Sequence, residues 1–445
     1  MRLVLFLTLT VLSAQTVGGQ DITNYRYHDS LTYNLYLESR WKELSAAGNE
    51  ALADGNDYYF LRMRLGIAGY ERSNYASAAG HFRNALVHNP NDPIALEYIF
   101  YCHFFNGEYA SATKILQQLS AEQRMKITKE SGLAKNAISL SLYYNDFMTE
   151  DITDLPSAWF PDYETGTQSV SQLIVNPSVS MSHYIKPGVY YSHSYNNVTK
   201  ISFLHYFDGV SSLNLDKQKV FQNQYYGSFV FGGQRGFSFR PYIHAVFLVF
   251  DYIQSTGGMI PGYYVMRGSD FNYSAGMNFR QRSGYFAVDG GVALNNFGYG
   301  VAVQWEAGLK LYPLGNSNLY TGGRITSVKQ PDAYDYGSSG PVFTANAGFQ
   351  VPGIIMVDFT AIEGEFRNMT TNNGLYVFNS PDFITSRLQM NLTVPLGTKR
   401  DLAIFAGGGV NKHKTSIYTL DNIPTNSHTI AYNSFNINGG LAWNF

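Results

Sequence analysis

The chain has 445 residues, a formal net charge of −2, and only 14% charged residues. This near-neutral balance argues against a nucleic-acid-binding protein, which would carry a clustered basic surface. The only cysteine, Cys102, excludes an intrachain disulfide and a cysteine-built metal site. Aromatic residues make up 16% of the chain and glycine occurs 42 times. Together with the low charge, this composition favours a β-barrel with aromatic girdles.

The N-terminus has the pattern of an export signal. Residues 1–14 place Arg2 before a short apolar run that ends at the small residues Ser13 and Ala14. This run is too short to span a membrane, so we predict a signal peptide over 1–14 and an N-terminal segment over 15–27. Beyond it, no run of ~18 apolar residues predicts a transmembrane helix.

Residues 28–147 have helical spacing and an internal repeat of 34 residues. The repeat 59–92 resembles a tetratricopeptide repeat, with a second over 93–126, a degenerate first over 28–55 and a capping helix over 132–147. The residues at the family's spacing in 59–92 are Leu65, Gly66, Tyr75, Ala78, Phe82, Ala85 and Pro90. Gly69 departs from the family, which usually has Tyr there. The resemblance implies paired helices that pack through small residues and bind a peptide or a partner domain.

Two interpretations of this helical region remain open. It either recruits a partner or serves as a rigid spacer. The aromatic residues Tyr98, Tyr101, Phe104 and Phe105 either form an exposed docking surface or belong to the core at helical spacing.

Residues 148–176 predict a linker, with Trp159 and Phe160 near a barrel mouth. From residue 177 the apolar pattern has a period of two, which predicts a barrel over 177–445. The expected strands are 177–185, 188–196, 198–208, 221–232, 236–250, 270–282, 284–294, 300–312, 317–328, 341–351, 354–366, 384–395, 400–411 and 428–445. Short and long connections alternate, so the chain should enter the first strand and leave the last strand on the same side of the membrane. We predict about 14 strands, with 12 as the alternative.

The alternation also assigns side chains to a lumen. Residues expected to face inward are Arg280, Glu306, Lys310, Asp358 and Arg387. They line either an open pore or a plugged one. His183, His193 and His205 are expected on three successive strands as interfacial or lumen residues rather than metal ligands. No motif for catalysis or for a cofactor is present, so we expect no enzyme, no cofactor and no metal.

The last strand, 428–445, alternates fully and carries Asn438, Gly440, Trp443 and Phe445. These four positions resemble the C-terminal assembly signal of bacterial outer-membrane barrels. An edge strand of a soluble β-protein is the alternative. The resemblance implies outer-membrane lipids and the barrel assembly machinery as partners, a periplasmic helical domain, and a bacterial source. Heavy use of Tyr and Asn suggests Bacteroidota.

The fold class expected is therefore α + β multidomain, with helical repeats before an antiparallel transmembrane β-barrel. This layout resembles surface-lipoprotein assembly modulators, exopolysaccharide-export porins and YaiO-like outer-membrane proteins. The first hypothesis for function is a non-enzymatic factor whose repeats recruit a partner or client and whose barrel supports export. The alternative is a passive porin for small solutes, with the repeats as a tether. A third hypothesis, a hydrolase, would require a lumen-facing Ser–His pair.

Overall fold

The computed structural model describes residues 22–132, 136–147, 165–208, 212–255, 263–298, 300–329, 340–379, 383–397, 401–417 and 428–445. The predicted signal peptide and most of the predicted linker, including Trp159 and Phe160, lie outside these ranges.

Seven α-helices come first in the described part of the chain. They are α1 (Ile22–Leu37), α2 (Trp41–Ala53), α3 (Tyr59–Glu71), α4 (Tyr75–His88), α5 (Pro93–Phe105), α6 (Tyr109–Ile115, extended by a 3-10 turn, Leu116–Gln118) and α7 (Ala121–Ser131). None of these described helices is long and apolar enough to cross a membrane.

Helices α3 and α4 approach closely because two glycines leave room. A Cβ on Gly66 would lie 2.6 Å from the ring of Phe82, which is fully buried. A Cβ on Gly69 would lie 3.1 Å from the backbone nitrogen of Ala78. Gly69, the residue that departs from the repeat pattern, therefore has a packing reason here.

Fourteen antiparallel strands form a closed barrel in the described residues, as the sequence predicts. They are β1 (Ala137–Phe147), β2 (Thr165–Lys186), β3 (Val189–Asp208), β4 (Ser212–Gly232), β5 (Phe237–Ser255), β6 (Tyr263–Ser283), β7 (Phe286–Gly298), β8 (Gly300–Leu311), β9 (Leu319–Lys329), β10 (Val342–Val351), β11 (Ile355–Phe366), β14 (Phe383–Leu396), β15 (Leu402–Ile417) and β16 (His428–Asn444). Two short strands, β12 (Met369–Thr371) and β13 (Tyr376–Phe378), pair only with each other.

Two expectations about individual elements were wrong, and they cancel in the strand count. The predicted capping helix over 132–147 is largely strand β1, which pairs with β2 and β16. The predicted strands 188–196 and 198–208 are one strand, β3. With β1 in place, the short connection at 187–188 falls at the same end as the other short turns. We call this the short-turn end, and the opposite end the long-loop end.

The outer face of the barrel is apolar and the inner face is polar. On β8, Val303 and Trp305 are 43% and 46% exposed, whereas Gln304 between them is 3% exposed. Stacked phenylalanine rings follow the outer surface near the short-turn end, including Phe229, Phe231, Phe239 and Phe279. Alternation of this kind is typical of barrels that face lipid.

Candidate functional site: the lumen and its closures

Charged side chains concentrate on the inner faces of β6–β11, which we call the charged wall. Arg324 donates to Asp289 at 2.6 Å and to Glu306 at 3.3 Å. Lys310 lies 4.8 Å from the centre of the Tyr320 ring, and the Tyr320 hydroxyl donates to Asp358. Arg324 is thus ion-paired with Asp289 and Glu306, and Tyr320 lies between Lys310 and Asp358, which offsets the cost of removing these charges from water.

The five residues assigned to the lumen from the sequence all lie on the inner face. Glu306, Lys310 and Asp358 make the contacts just described. Arg280 donates to the hydroxyl of Tyr312 at 2.5 Å. Arg387, on β14, donates to Gln389 at 3.2 Å, and its guanidinium lies 5.7 Å from the centre of the Phe378 ring.

A hairpin between β11 and β14 folds back into the lumen. This inner hairpin (residues 369–378) turns at Asn372, Asn373 and Gly374, all of which have positive φ. Gln304 binds it as a strand would: its Nε2 donates to the carbonyl of Thr370 at 2.8 Å, and its Oε1 accepts from the Thr370 backbone N–H at 2.9 Å. The lumen is therefore partly filled by the chain itself.

Side chains of β4 and β5 hold the tip of the inner hairpin. Tyr226 donates to the carbonyl of Asn373 at 3.0 Å, and His244 Nδ1 lies 2.8 Å from the carbonyl oxygen of Gly374. Apolar contacts hold its base, since Met369 is 1% exposed in a cluster with Phe366 and other residues of β8–β11 and β14. The hairpin thus extends across the lumen, with its base on β8–β11 and β14 and its tip on β4 and β5.

In the sequence, the inner hairpin falls in the long connection between the strands expected at 354–366 and 384–395. The signal for it was Asn372-Asn373-Gly374, because Asn and Gly tolerate the positive φ that tight hairpin turns require. Its position inside the barrel has no local signal, since its partners lie on strands distant in sequence.

The helices dock on four turns at the short-turn end. Ala76 N–H donates to the carbonyl of Gly315 at 2.9 Å, and Gly188 N–H donates to Thr113 Oγ1 at 2.9 Å. A Cβ on Gly232 would lie 2.4 Å from the backbone of Ala110, so glycine permits the contact there. Further contacts join Asn316 to Ser73, Ser317 to Asn106, Asn74 to Tyr285 and Ser111 to Phe237. The described contacts involve the turns of β2–β9, about half of the ring.

A buried ion pair lies at the centre of this interface. Arg282 Nε is 3.4 Å from Glu108 Oε1, and their side chains are 3% and 11% exposed. His103 Nδ1 lies 2.5 Å from the other carboxylate oxygen. Burial by itself would raise the pKa of Glu108, but the hydrogen bond and charge of His103 and the charge of Arg282 hold it below its ordinary value. Glu108 is therefore ionised and joins the helices to the barrel electrostatically.

The four aromatic residues singled out on α5 have different environments. Tyr98, Tyr101 and Phe104 are partly buried against the helical core. Tyr98 stacks on Phe82 with ring centres 4.7 Å apart. Phe105 is 45% exposed and stacks on Tyr75 at 5.2 Å.

The histidines considered from the sequence do not form a threefold cluster. His193 and His205 lie on the same strand, β3, rather than on successive strands. His183 and His193 have Nε2 atoms 3.1 Å apart on the outer face. Within the described ranges, no group of three or more His, Cys, Asp or Glu is placed to hold a metal ion.

A Ser–His pair, the feature that would favour a hydrolase, does occur inside the barrel. His413 Nε2 lies 2.8 Å from Ser434 Oγ, but Ser434 has no exposed surface. Its oxygen accepts from Asn145 Nδ2 and Asn411 Nδ2, both at 3.1 Å. These bonds occupy both lone pairs of the hydroxyl oxygen, whereas a nucleophile must reach a substrate. The pair is part of a buried polar network.

The residues of the terminal strand motif divide between the two faces. Trp443 and Phe445 are half exposed on the outside, with ring centres 5.0 Å apart. Asn438 faces inward and accepts from Gln389 at 3.0 Å. A Cβ on Gly440 would lie 2.6 Å from the ring of Phe405, which explains why glycine is present.

No family model matches the chain, and no curated protein is similar to it in sequence. Solved structures similar to it include a Pseudomonas aeruginosa FadL homologue (13% identity, 70% of this chain and 90% of that one, TM-score 0.42). The P. putida toluene transporter TodX is 8% identical over 70% of this chain and 90% of its own, with a TM-score of 0.44. The translocator domain of the autotransporter NalP from Neisseria meningitidis is 9% identical over 77% and 99%, with a TM-score of 0.30. These proteins are distant in sequence, so what this chain carries is judged from its own residues.

Proposed function

We propose that this protein is an outer-membrane channel whose lumen is narrowed by the inner hairpin, with the helices fixed beneath it on the periplasmic side. The apolar outer face is suited to contact with lipid. The C-terminal motif between Asn438 and Phe445 is suited to recognition by the barrel assembly machinery. The proposed activity is the passage of a solute through the barrel, and it involves no covalent chemistry. This proposal adopts the passive-porin alternative of the sequence analysis for the barrel.

The inner hairpin is the observation that carries the proposal. It lies inside a closed barrel and is held by reversible hydrogen bonds from Gln304, Tyr226 and His244. A segment held in this way obstructs part of a lumen and can be displaced without breaking the barrel wall, because no barrel strand is interrupted.

The test is conductance in planar bilayers. Gly374 has φ +84°, and a Cβ there would lie 2.0 Å from the buried ring of Tyr242. We expect Gly374→Ala to displace the hairpin and to raise single-channel conductance. Gly397→Ala is the matched control, because Gly397 also has a positive φ (+74°) but nothing within 4 Å of its Cβ position. A chain with 369–378 replaced by a Gly/Ser linker should conduct most. Equal conductance in all four proteins would show that the inner hairpin does not narrow the lumen, and no conductance in any of them would rule the channel out.

A second proposal concerns the helices, which we infer to recruit a protein partner through the exposed face of α5. Phe105 supports it, since a large ring 45% exposed on a helix is a suitable contact for another chain. Affinity purification from native outer membranes should recover a partner with the wild type but not with Phe105→Ser. Val87→Ser, at a residue 76% exposed on α4, is the control. Identical recovery in all three would remove Phe105 from the interface.

A further inference from the structure

The wall opposite the charged wall differs from it in chemistry. It comprises the inner faces of β15, β16, β1 and β2, which are adjacent in the ring. The inward-facing residues of 403–413, 432–444, 137–145 and 176–184 include no Asp, Glu, Lys or Arg. We call this the neutral wall. We infer that it lines the solute path, and that the solute is an uncharged molecule rich in hydrogen-bonding groups, such as a polyol. This inference rests on the proposed channel function.

Serine hydroxyls form a ladder between β1, β2 and β3. Ser182 and Ser180 bond to Ser192 and Ser194, each at 3.0 Å, and Ser141 bonds to Ser178. Ser178, Ser180 and Ser182 are half-buried, so their hydroxyls keep some access to the lumen. A hydroxyl both donates and accepts, which is what a polyhydroxylated solute requires of a wall.

Amide groups on the same wall are left without partners. Asn436 is 1% exposed, and neither its Nδ2 nor its Oδ1 has a hydrogen-bond partner. The Oδ1 atoms of Asn411 and Asn176 are likewise unpaired. Buried polar atoms without partners are rare in proteins, because burial removes the hydrogen bonds that water would supply. These atoms give the neutral wall hydrogen-bonding capacity that its own side chains do not use.

The positions of the inner hairpin and of the docked helices agree with a solute path along the neutral wall. The inner hairpin bonds to Tyr226, His244 and Gln304, which lie on β4, β5 and β8. The helices contact the turns of β2–β9. Among the described residues, β15, β16 and β1 therefore carry neither set of contacts, and the path runs beside them.

The absence of charge on this wall sets the selectivity. A fixed charge attracts one sign of ion, and a wall of paired charges is screened by its own partners. Hydroxyls and amides on a neutral wall can replace the water that hydrates the hydroxyl groups of a solute. They cannot replace the water around an ion, because an ion loses much more hydration free energy on leaving water. The channel should therefore favour an uncharged solute over ions of the same size.

The first experiment compares three solutes of equal size in liposome swelling: mannitol, gluconate as the anion and glucosamine as the cation. The protein is the full chain with Gly374→Ala. We expect mannitol to enter about tenfold faster than either ion, a difference of ~1.4 kcal/mol in barrier height. Faster entry of an ion would overturn the inference.

The second experiment locates the path. Ser182→Cys places a thiol on the neutral wall, and Thr344→Cys places one on the inner face of β10. The native Cys102 is buried and its pKa is raised by that burial, so it stays unreactive. Modification of Ser182→Cys with a sulfonate-bearing thiol reagent should shift the reversal potential toward cation selectivity. The same modification of Thr344→Cys should leave it unchanged.

The outcomes separate the inference from the function on which it rests. A barrel that conducts, but whose reversal potential is insensitive to charge at residue 182, would refute the neutral path and retain the channel. A barrel that passes no solute, even with residues 369–378 replaced, would refute the channel itself.

Discussion

Replacing Glu108 by Gln should undock the helices from the barrel. The change removes the charge that faces Arg282 and keeps the side-chain volume. Removing one partner of a buried ion pair costs about 3–5 kcal/mol. Arg282 keeps a hydrogen bond to Ser317 at 3.2 Å and lies 3.8 Å from the centre of the Tyr312 ring. We therefore take the lower end, about 3 kcal/mol, which is roughly a 100-fold change in the docked population.

The amide of Ala76 reports docking directly. It lies in the first turn of α4, where an N–H has no partner inside its own helix, and it donates across the interface to Gly315. Hydrogen exchange at Ala76, followed by mass spectrometry in detergent, should accelerate roughly 100-fold in Glu108→Gln. Glu43→Gln, at an exposed pair with Arg40, is the control and should leave exchange unchanged.

The pH dependence has a definite sign. The pKa of Glu108 lies below its ordinary value of 4.5, so its contribution to docking is complete above that pH. It is lost as the pH falls further and the carboxylate is protonated. If Ala76 exchanged at the wild-type rate in Glu108→Gln at neutral pH, the ion pair would not hold the interface.

Two further predictions concern the helices alone. Gly66→Ala should destabilise them by about 1–3 kcal/mol, because its Cβ would meet the buried ring of Phe82; Gly80→Ala, in open space on α4, should stabilise them slightly. Denaturant unfolding followed by the helical circular dichroism signal distinguishes these, and equal effects would contradict the packing argument. Burial, with the charge of Arg62, lowers the pKa of His81 to about 4, so stability should fall below pH 6.5 and be lower by about 2 kcal/mol at pH 5. Thermal unfolding at pH 7 and pH 5 measures this, and His81→Gln should remove most of the difference.

The alternation of apolar and polar residues predicted the barrel, because within each strand it shows which side chains face outward and which face the lumen. Even β1 alternates in this way: Leu140 and Leu142 are each 52% exposed, and Ser139 and Ser141 occupy the alternate positions. It was predicted as a capping helix, although Gly132 ends α7 just before it with φ +64°. β3 was divided at Asn197, although its pairing with β4 continues through that residue.

The closures of the lumen could not be predicted in the same way. Glu108 and Arg282 belong to different parts of the chain, and no local pattern relates them. The same holds for Gln304 and Thr370, whose hydrogen bonds form only once β8 and the inner hairpin are in place. The sequence contained the turn residues, but the docking partners are a property of the closed barrel.

The pairing of β1 with β16 also determines how the ring can form. Other barrel pairs join strands that follow one another, apart from β11 and β14, which enclose the inner hairpin. Pairs of neighbouring strands form through short loops, whereas Ala137 and Asn444 are separated by almost the whole barrel sequence. Contacts between residues so distant in sequence form slowly, because a long loop has to close first. The pairing of β1 with β16 should therefore form last. In a circular permutant, β16 would be linked to β1 and the chain would begin and end at a different hairpin. The last pairing to form would then be the one between the two strands of that hairpin.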